Sequence, residues 1–533
     1  MKQGKLRQTI ESVKTRPALL WGAGLVLLLF LSAFRVYHIR VIYSPSWLGQ
    51  GTGTAVLFAA LVALCAAFAL LARLRKRDLA LFLSGLLLVL GIVWSFATPP
   101  NQVPDEQTHF LRSHAMAQGQ WGFDEGHIYP DDVNSFIAHF PQAHNNGYPA
   151  KVGNTMANRF AEYRRAVESD EKAENISIII FQVIPYIPSA AGIALARVFG
   201  ADALAAFWCA RIANVLFFVI CAYFALRMAG RFAVLLFMLI GMPLSCFVWA
   251  SVSSDSFLMA LTALMFACVL SDSFDRKKLA VFVVSFALLS TCKMSYVVFI
   301  LLLLCVSKER WKVARGDRRM NRLTALAVAA AALILVYGGM ILYVRAFSNY
   351  GYIPRTMDGT SMSGQLAFIL SNPLRYLAVF RDTLKNNSFF LFSGGVLGWL
   401  DVSLPLINYT TPFLALAVCM DQSGKMREDD GRRTAVFALC SVLTYRVVMT
   451  GLYLSWTPVS LPQIIGLQMR YFIPAFMGFY LAAAMFFRSR RREGLETGDV
   501  RCAAAIFAFN ILAAAMMLRV YYIPLINKVA VMP

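Results

Sequence analysis

Charge is what this sequence has least of. Only 15% of its 533 residues are Asp, Glu, Lys or Arg, against 59% hydrophobic residues, and the mean hydropathy is +0.60. A water-soluble domain cannot cover its surface with so few polar groups, so a soluble globular fold is excluded. Paired cysteines are also missing. Cys65, Cys209, Cys221, Cys246, Cys268, Cys292, Cys305, Cys419, Cys440 and Cys502 all lie in apolar stretches, none in a long polar loop and none in Cys-x-x-Cys spacing. They read as small buried apolar residues, which excludes a disulfide frame and a cysteine metal site. Heptads, low-complexity tracts and internal repeats are absent as well. The run Gly49-Gln50-Gly51-Thr52-Gly53 has no strand before it and no Lys-Ser/Thr after it, so it is not a nucleotide loop.

What the chain does have is a series of long apolar windows. They fall near 18 to 34, 54 to 72, 79 to 97, 177 to 199, 204 to 226, 231 to 250, 254 to 271, 279 to 306, 323 to 346, 404 to 420, 434 to 455, 466 to 487 and 502 to 523. Each is long enough to cross a hydrocarbon core of about 30 Å. The expectation is an all-α integral membrane protein with about 13 transmembrane helices and two long extracytoplasmic loops carrying short helices. The first window lacks a small-residue cleavage site and is read as a retained anchor.

The formal net charge of +21 suggests a nucleic-acid binder until its distribution is considered. Half of the basic residues fall in segments 1 to 17, 73 to 78, 308 to 322, 421 to 433 and 488 to 501. Threading the windows alternately places all five on one side, the positive-inside pattern of a membrane protein with no nucleic-acid partner. The N-terminus is then cytoplasmic, the C-terminus extracytoplasmic, and loops 98 to 175 and 347 to 402 face outward. The chain divides into a cytoplasmic tail with two extra helices over 1-78, a module over 79-346 that includes outer loop 98-175, a second outer loop over 347-402, and C-terminal helices over 403-533.

Polar chemistry concentrates at the start of the first outer loop, in Pro104-Asp105-Glu106-Gln107-Thr108-His109-Phe110-Leu111-Arg112. If Pro104 opens a helix, Asp105, His109 and Arg112 share one stripe, and Glu106 points about 100° away. Two such carboxylates act differently, one as a base and the other positioning a partner or a cation. Helix capping is the alternative, since acids favour the positive end of the helix dipole. Five of six histidines, His109, His114, His127, His139 and His144, share this loop. They form neither His-x-x-x-His on a clear helix nor His-Glu-x-x-His, so they read as scattered surface residues and no metal ligand is assigned.

The PDEQTHFLR string, followed by Ala117-Gln118-Gly119-Gln120-Trp121, resembles the opening motif of an uncharacterised family of bacterial multi-pass membrane proteins, the domain of unknown function 2142. Four later stretches are similar to that family in the same order: Ser253-Ser254-Asp255; Cys292-Lys293-Met294-Ser295-Tyr296; Gly398-Trp399-Leu400-Asp401 with Pro405; and Gly466-Leu467-Gln468-Met469-Arg470-Tyr471 before Pro474. The resemblance runs from about residue 80 to about 490. Met469 departs from it, standing where the family usually has glycine.

The resemblance implies a GT-C-like fold and a place among the GT-C glycosyltransferases of the bacterial plasma membrane. Such enzymes take a sugar from a polyprenyl-phosphate donor and pass it to a surface glycan or a lipid-linked acceptor on the outer face. On this basis Asp105 and Glu106 are the expected catalytic acids. His109, Arg112, Lys293, Tyr296, Trp399, Asp401, Gln468, Arg470 and Tyr471 are the expected substrate-binding residues. A divalent cation, Mg²⁺ or Mn²⁺, at the acidic motif is left open. A transporter or flippase of lipid-linked glycans, or a polysaccharide polymerase or ligase, are the alternatives.

Two charges within apolar windows matter to this reading. Lys293 needs a partner or a water-filled cavity at its depth, either a lipid phosphate or a buried acid. Arg211 poses the same question and could also snorkel to an interface. Asp255 conflicts with the alternating count, which puts it at the cytoplasmic end of a span while the family resemblance puts it near the outer site. Pro185 and Pro188 leave room for one window before residue 250 not to cross.

Overall fold

The structure, a computed structural model, describes residues 51–75, 77–122, 128–142, 156–168, 183–315, 318–319, 322–347, 358–386, 396–400, 402–403, 405–422, 430–486 and 498–522. Among these residues the fold is helical apart from two short antiparallel ribbons, β1 (Ala314–Arg315) with β2 (Arg318–Arg319) and β3 (Val396–Leu397) with β4 (Val402–Ser403). By length and composition, six helical stretches among the described residues are apolar enough to cross a membrane, or seven if a bent pair counts as one.

In chain order the first part comprises α1 (Gly51–Leu74), α2 (Leu79–Ala97), α3 (Glu106–Ala117), α4 (Asp131–His139), α5 (Met156–Glu168), α6 (Ile187–Val198) and α7 (Ala203–Ala229). Then come α8 (Ala233–Ile240), α9 (Pro243–Trp249), α10 (Ser254–Leu270), α11 (Arg276–Cys292) and a 3₁₀ helix over Met294–Cys305. The remainder is α12 (Arg322–Phe347), α13 (Met362–Ser371), α14 (Pro373–Asn386), α15 (Pro405–Gln422), α16 (Asp430–Ser455), α17 (Ile473–Phe486) and α18 (Gly498–Tyr522).

Ion pairs define the two ends of the bundle. At one end Arg231 meets both oxygens of Asp430 at 2.6 Å, Arg433 meets Asp430 at 3.2 Å, and Arg75 meets Asp499 at 3.6 Å. There Arg310 and Arg433 donate to Val269 O and Leu270 O, satisfying the last carbonyls of α10 as cations at a helix C-terminus should. The described basic residues of segments 73 to 78, 308 to 322 and 421 to 433 thus gather at one end. The Pro-Asp-Glu motif lies at the other. Between them the core is apolar, with Phe266 packed edge-on against Phe299 and Phe437.

Two expected spans are corrected. Window 177 to 199 does not run the length of the bundle in its described part. Its α6 has 12 residues, about 18 Å of helix. Its start touches α3 through Tyr186 and Ser189, bonded to His109 and Ser113, and its end touches α3 and α4 through Arg197, bonded to His114 and Asp132. Both ends are therefore held at the motif end. Window 279 to 306 is two legs. Phe274 N donates to Arg310 O at 2.8 Å and Lys312 N to Phe274 O at 2.7 Å, so the chain leaves and returns to the same end, with Lys293 at the turn. The 17 residues of α11 and the 12 of the 3₁₀ helix give legs of about 26 and 24 Å, because a 3₁₀ helix rises about 2.0 Å per residue.

Losing one leg and gaining another leaves the later segments at the bundle ends that the alternating count gives them and moves only the stretch between them. Asp255 thereby arrives at the motif end. Window 231 to 250 is also interrupted: α8 stops at Gly241 and α9 restarts on Pro243, which lacks the N–H needed to continue a helix. Asn510 Nδ2 donates to the freed Gly241 O at 2.7 Å and its Oδ1 accepts from Trp94 Nε1 at 2.7 Å. The chain then bends by 120° between α9 and α10.

Candidate functional site

The site is built on a buried salt bridge. Glu106, the first residue of α3, and Arg211 on α7 have fully enclosed side chains. Arg211 Nε and Nη2 donate to the two Glu106 oxygens at 2.8 and 2.6 Å, and the other three N–H groups reach Ser95 O, Thr98 O and Pro99 O at 2.6, 2.6 and 3.1 Å. All five guanidinium donors are used, and those carbonyls are ones the end of α2 leaves open. Glu106 Oε1 also accepts from Val252 N at 2.9 Å, which fixes the bend before α10. One pair therefore pins α2, α3, α7 and α10 at a common point. Glu106, expected among the catalytic acids, is thus enclosed in an ion pair, and of the possibilities open for Arg211 the structure shows a buried acid partner.

Held by that anchor, Asp105 stands just before α3 with φ at +66° and makes no side-chain cap to the helix. A left-handed non-glycine residue of this kind costs roughly 1 kcal/mol or more, and such strain persists where the surroundings hold it. Here Arg470 holds it, donating to the Asp105 carboxylate and, at 2.8 Å, to Pro104 O. The capping alternative accounts for neither contact. Burial pushes the Asp105 carboxyl up, but the Arg470 guanidinium and the nearby His109 outweigh it and leave it below its ordinary range.

The charges continue in a line. Arg470 Nη1 lies 3.5 Å from Asp255 Oδ2, and Asp255 Oδ1 lies 2.5 Å from Lys293 Nζ. Asp105, Arg470, Asp255 and Lys293 alternate in sign and sum to zero, which permits four ionic groups at the rim of an apolar bundle. The middle of the line is closed and its ends are open: the Asp105 side chain is 48% exposed and Lys293 27%, against 5% for Arg470 and 8% for Asp255. The Lys293 ammonium lies 4.7 Å from the Tyr471 ring centroid, and Tyr296 OH donates to Tyr471 O at 3.2 Å. His109 Nδ1 and Tyr186 OH are 2.6 Å apart. Burial is the main reason the His109 imidazole is pushed down to about 4, so it is neutral at physiological pH.

Asp105, His109, Lys293, Tyr296, Arg470 and Tyr471 thus converge at one end of the bundle. Others do not. Arg112 is buried and binds the carbonyls of Trp121 and Gly122 at 2.8 and 3.0 Å, shaping the turn after α3. Trp399 Nε1 donates to Asn101 O at 3.2 Å and ties the β3–β4 turn to the loop after α2. Gln468 leads into the 3₁₀ turn that carries Arg470, its side-chain Oε1 buried without a protein hydrogen bond among the described residues. Met469 is buried in the core. Asp401, His127 and His144 lie outside the described residues. His114 and His139 do not form a surface scatter: His114 is buried between Gln118 and Arg197, and the His139 ring pairs with Ser135.

Asp255, left unplaced by the sequence, and Tyr186 are the additions. The positive signal for Asp255 was its place in the Ser253-Ser254-Asp255 motif, and for Tyr186 there was none beyond proximity to two prolines. Among the described residues no group of three or more His, Cys, Asp or Glu is placed to hold a metal ion. The Arg470 guanidinium bridges the carboxylates of Asp105 and Asp255, standing where a cation between them would sit.

No curated protein and no solved structure matches the chain. A family model does, over residues 88–479, a stretch that contains the anchor and the whole charged line. On that extent the chain belongs to the family described as predicted membrane protein (DUF2142).

Proposed function

We propose that this protein is a GT-C-type glycosyltransferase of the bacterial plasma membrane that moves a sugar from a polyprenyl-phosphate donor to a surface glycan or lipid-linked acceptor on the outer face. The observation that carries this reading is Asp105, an ionised, half-open carboxylate that forgoes helix capping and is held in a strained conformation beside a cationic rim. Asp105 takes the proton of the acceptor hydroxyl. The acceptor oxygen then bonds to the anomeric carbon as the bond from that carbon to the phosphate oxygen breaks, and the electron pair leaves with the lipid phosphate.

Lys293, partly exposed at the open end of the line, meets the departing phosphate near the membrane rim. Arg470, expected to bind substrate, instead contacts Asp105, Asp255 and Pro104, so its role is to aim Asp105. Tyr471 and Tyr296 line the same rim. No step is assigned to Mg²⁺ or Mn²⁺, because Arg470 bridges the two carboxylates and together with Lys293 balances their charge. Positive-inside bias orients the basic end to the cytoplasm and the site outward.

A flippase or transporter needs a polar path joining both ends. The line of charges stops at Lys293 and Asp255 above the Phe266, Phe299 and Phe437 packing, which favours the enzyme. The test is purified protein in detergent with a panel of radiolabelled sugar-polyprenyl phosphates, following release of free lipid phosphate with and without EDTA. Release that persists in EDTA is expected. No release with any donor, in the presence of membrane glycan acceptors, overturns the reading.

A further inference from the structure

Helices α13 and α14 have 10 and 14 residues and do not span. They meet at Asn372 and Pro373 in an elbow laid against the motif end of α16. The inner face is fully engaged: Tyr376 OH bonds Thr450 at 2.6 Å, Phe380 lies under the Arg446 guanidinium at 4.5 Å, and Thr383 Oγ1 accepts from Ile464 N at 3.0 Å. The outer face is apolar. Met362, Leu366 and Leu370 recur at every fourth position on α13, and Leu374 and Leu377 follow on α14; Leu374 is 81% exposed and Leu370 72%. The α14 stripe then ends in Arg381 and Lys385 on the same face, both exposed.

In water this would be a bare apolar patch on a loop. Its level argues otherwise. The elbow touches α16 between Arg446 and Tyr453, the last turns of a helix long and apolar enough to cross a membrane. One and two turns below Arg446, α16 exposes Val442 and Leu439. The stripe therefore lies beside a lipid-facing surface that carries on past Arg446 to the exposed Val447, while Arg446 itself turns onto the Phe380 ring.

We propose that α13 and α14 form an amphipathic elbow embedded in the leaflet at the site end, its Met and Leu stripe covered by phospholipid acyl chains and the long Arg381 and Lys385 side chains reaching from the edge of that stripe toward head-group phosphates. An amphipathic helix with apolar residues on one face and cations at its edge binds a membrane surface in this way, the long basic side chains reaching outward. The elbow then lies beside Thr450 and Ile464, in the same loop region that presents Arg470 and Tyr471. This inference stands independently of the transferase reading.

The test uses the full chain in phosphatidylcholine and phosphatidylglycerol vesicles. Leu366→Cys, Leu374→Cys and a control, Asp358→Cys, are labelled with bimane, and the wild-type chain treated in parallel corrects for native cysteines. Each variant is first shown to elute like the wild type, and Leu377→Cys replaces any that does not. Lipids brominated on the acyl chains should quench bimane at 366 and 374 at least twofold more than at 358, and aqueous iodide should do the reverse. Iodide quenching at 374 equal to that at 358 overturns the proposal. So does protection from both quenchers, which would mean that a protein surface covers the stripe.

Discussion

Lys293 Nζ lies 2.5 Å from Asp255 Oδ1 across the mouths of α11 and α10, and the other Asp255 oxygen is 3.5 Å from Arg470. Among the described residues the ammonium makes one hydrogen bond, to Asp255, of the three it can donate. A cation so placed is held by the protein and still open to an incoming anion. The four-residue line thereby separates two tasks, a carboxylate at one open end and an ammonium at the other.

Asp105→Asn should lower transfer by about 10² to 10⁴-fold, the usual loss on removing a general base, with the protein still folded. Asn tolerates the left-handed conformation at this position, so the amide keeps the backbone and loses only the proton acceptor. Turnover measured with labelled donor, alongside elution and thermal unfolding, checks this. Near-normal turnover would return Asp105 to a structural role.

Glu106→Gln and Arg211→Met should each destabilise the protein by about 3 to 5 kcal/mol, because each leaves an enclosed partner unmatched. The double variant Glu106→Gln with Arg211→Met should be less damaged than the sum of the two. Thermal unfolding in detergent measures all three. If Glu106→Gln instead keeps wild-type stability and loses only turnover, Glu106 is catalytic after all.

Lys293→Met should weaken binding of the polyprenyl-phosphate donor by about tenfold to a hundredfold, the equivalent of one charge-assisted contact of roughly 1.5 to 3 kcal/mol. Binding of the acceptor should hardly change. A direct lipid-binding measurement decides it, and equal donor affinity in wild type and variant would remove Lys293 from the phosphate site.

The His109 imidazole is pushed down to about 4 from an ordinary value near 6.5, so the unfolded chain binds more protons between those values. Its contribution to stability is complete above about pH 6.5 and is lost as pH falls toward 4. Asp105, whose folded value is lowered, contributes stability that is present above its unfolded value and lost only at more acid pH. His109→Gln should therefore flatten the fall in unfolding temperature between pH 6.5 and 4. A slope unchanged from wild type would show that His109 is not buried in its neutral form.

Single cysteines at Gly200 and Met294 test the helix threading. Both should react with a membrane-impermeant reagent in intact cells, as should Asp131→Cys and Asp358→Cys, while Lys277→Cys should react only after permeabilisation. Gly200 follows α6 and Met294 starts the 3₁₀ leg, so a simple alternating count would place one inside and bury the other. Protection at Gly200 would restore α6 as a crossing helix.

Apolar length and basic loops were legible in the sequence because membrane insertion depends on additive, local quantities: about 20 apolar residues for a crossing, and Lys or Arg beside it for direction. Membership of a membrane family, the grouping of the basic segments, and the convergence of Asp105, His109, Lys293, Arg470 and Tyr471 follow from such signals and from ordered motifs. Three things were not local. Whether window 177 to 199 crosses depends on α6 finding partners on α3 and α4. Whether window 279 to 306 is one leg or two depends on Phe274 meeting Arg310. Which of two adjacent acids is enclosed depends on Arg211, 105 positions away from Glu106 in sequence. Hydropathy records how much apolar chain is present; only tertiary packing decides where that chain turns back, because the turn is stabilised by hydrogen bonds between residues far apart in sequence.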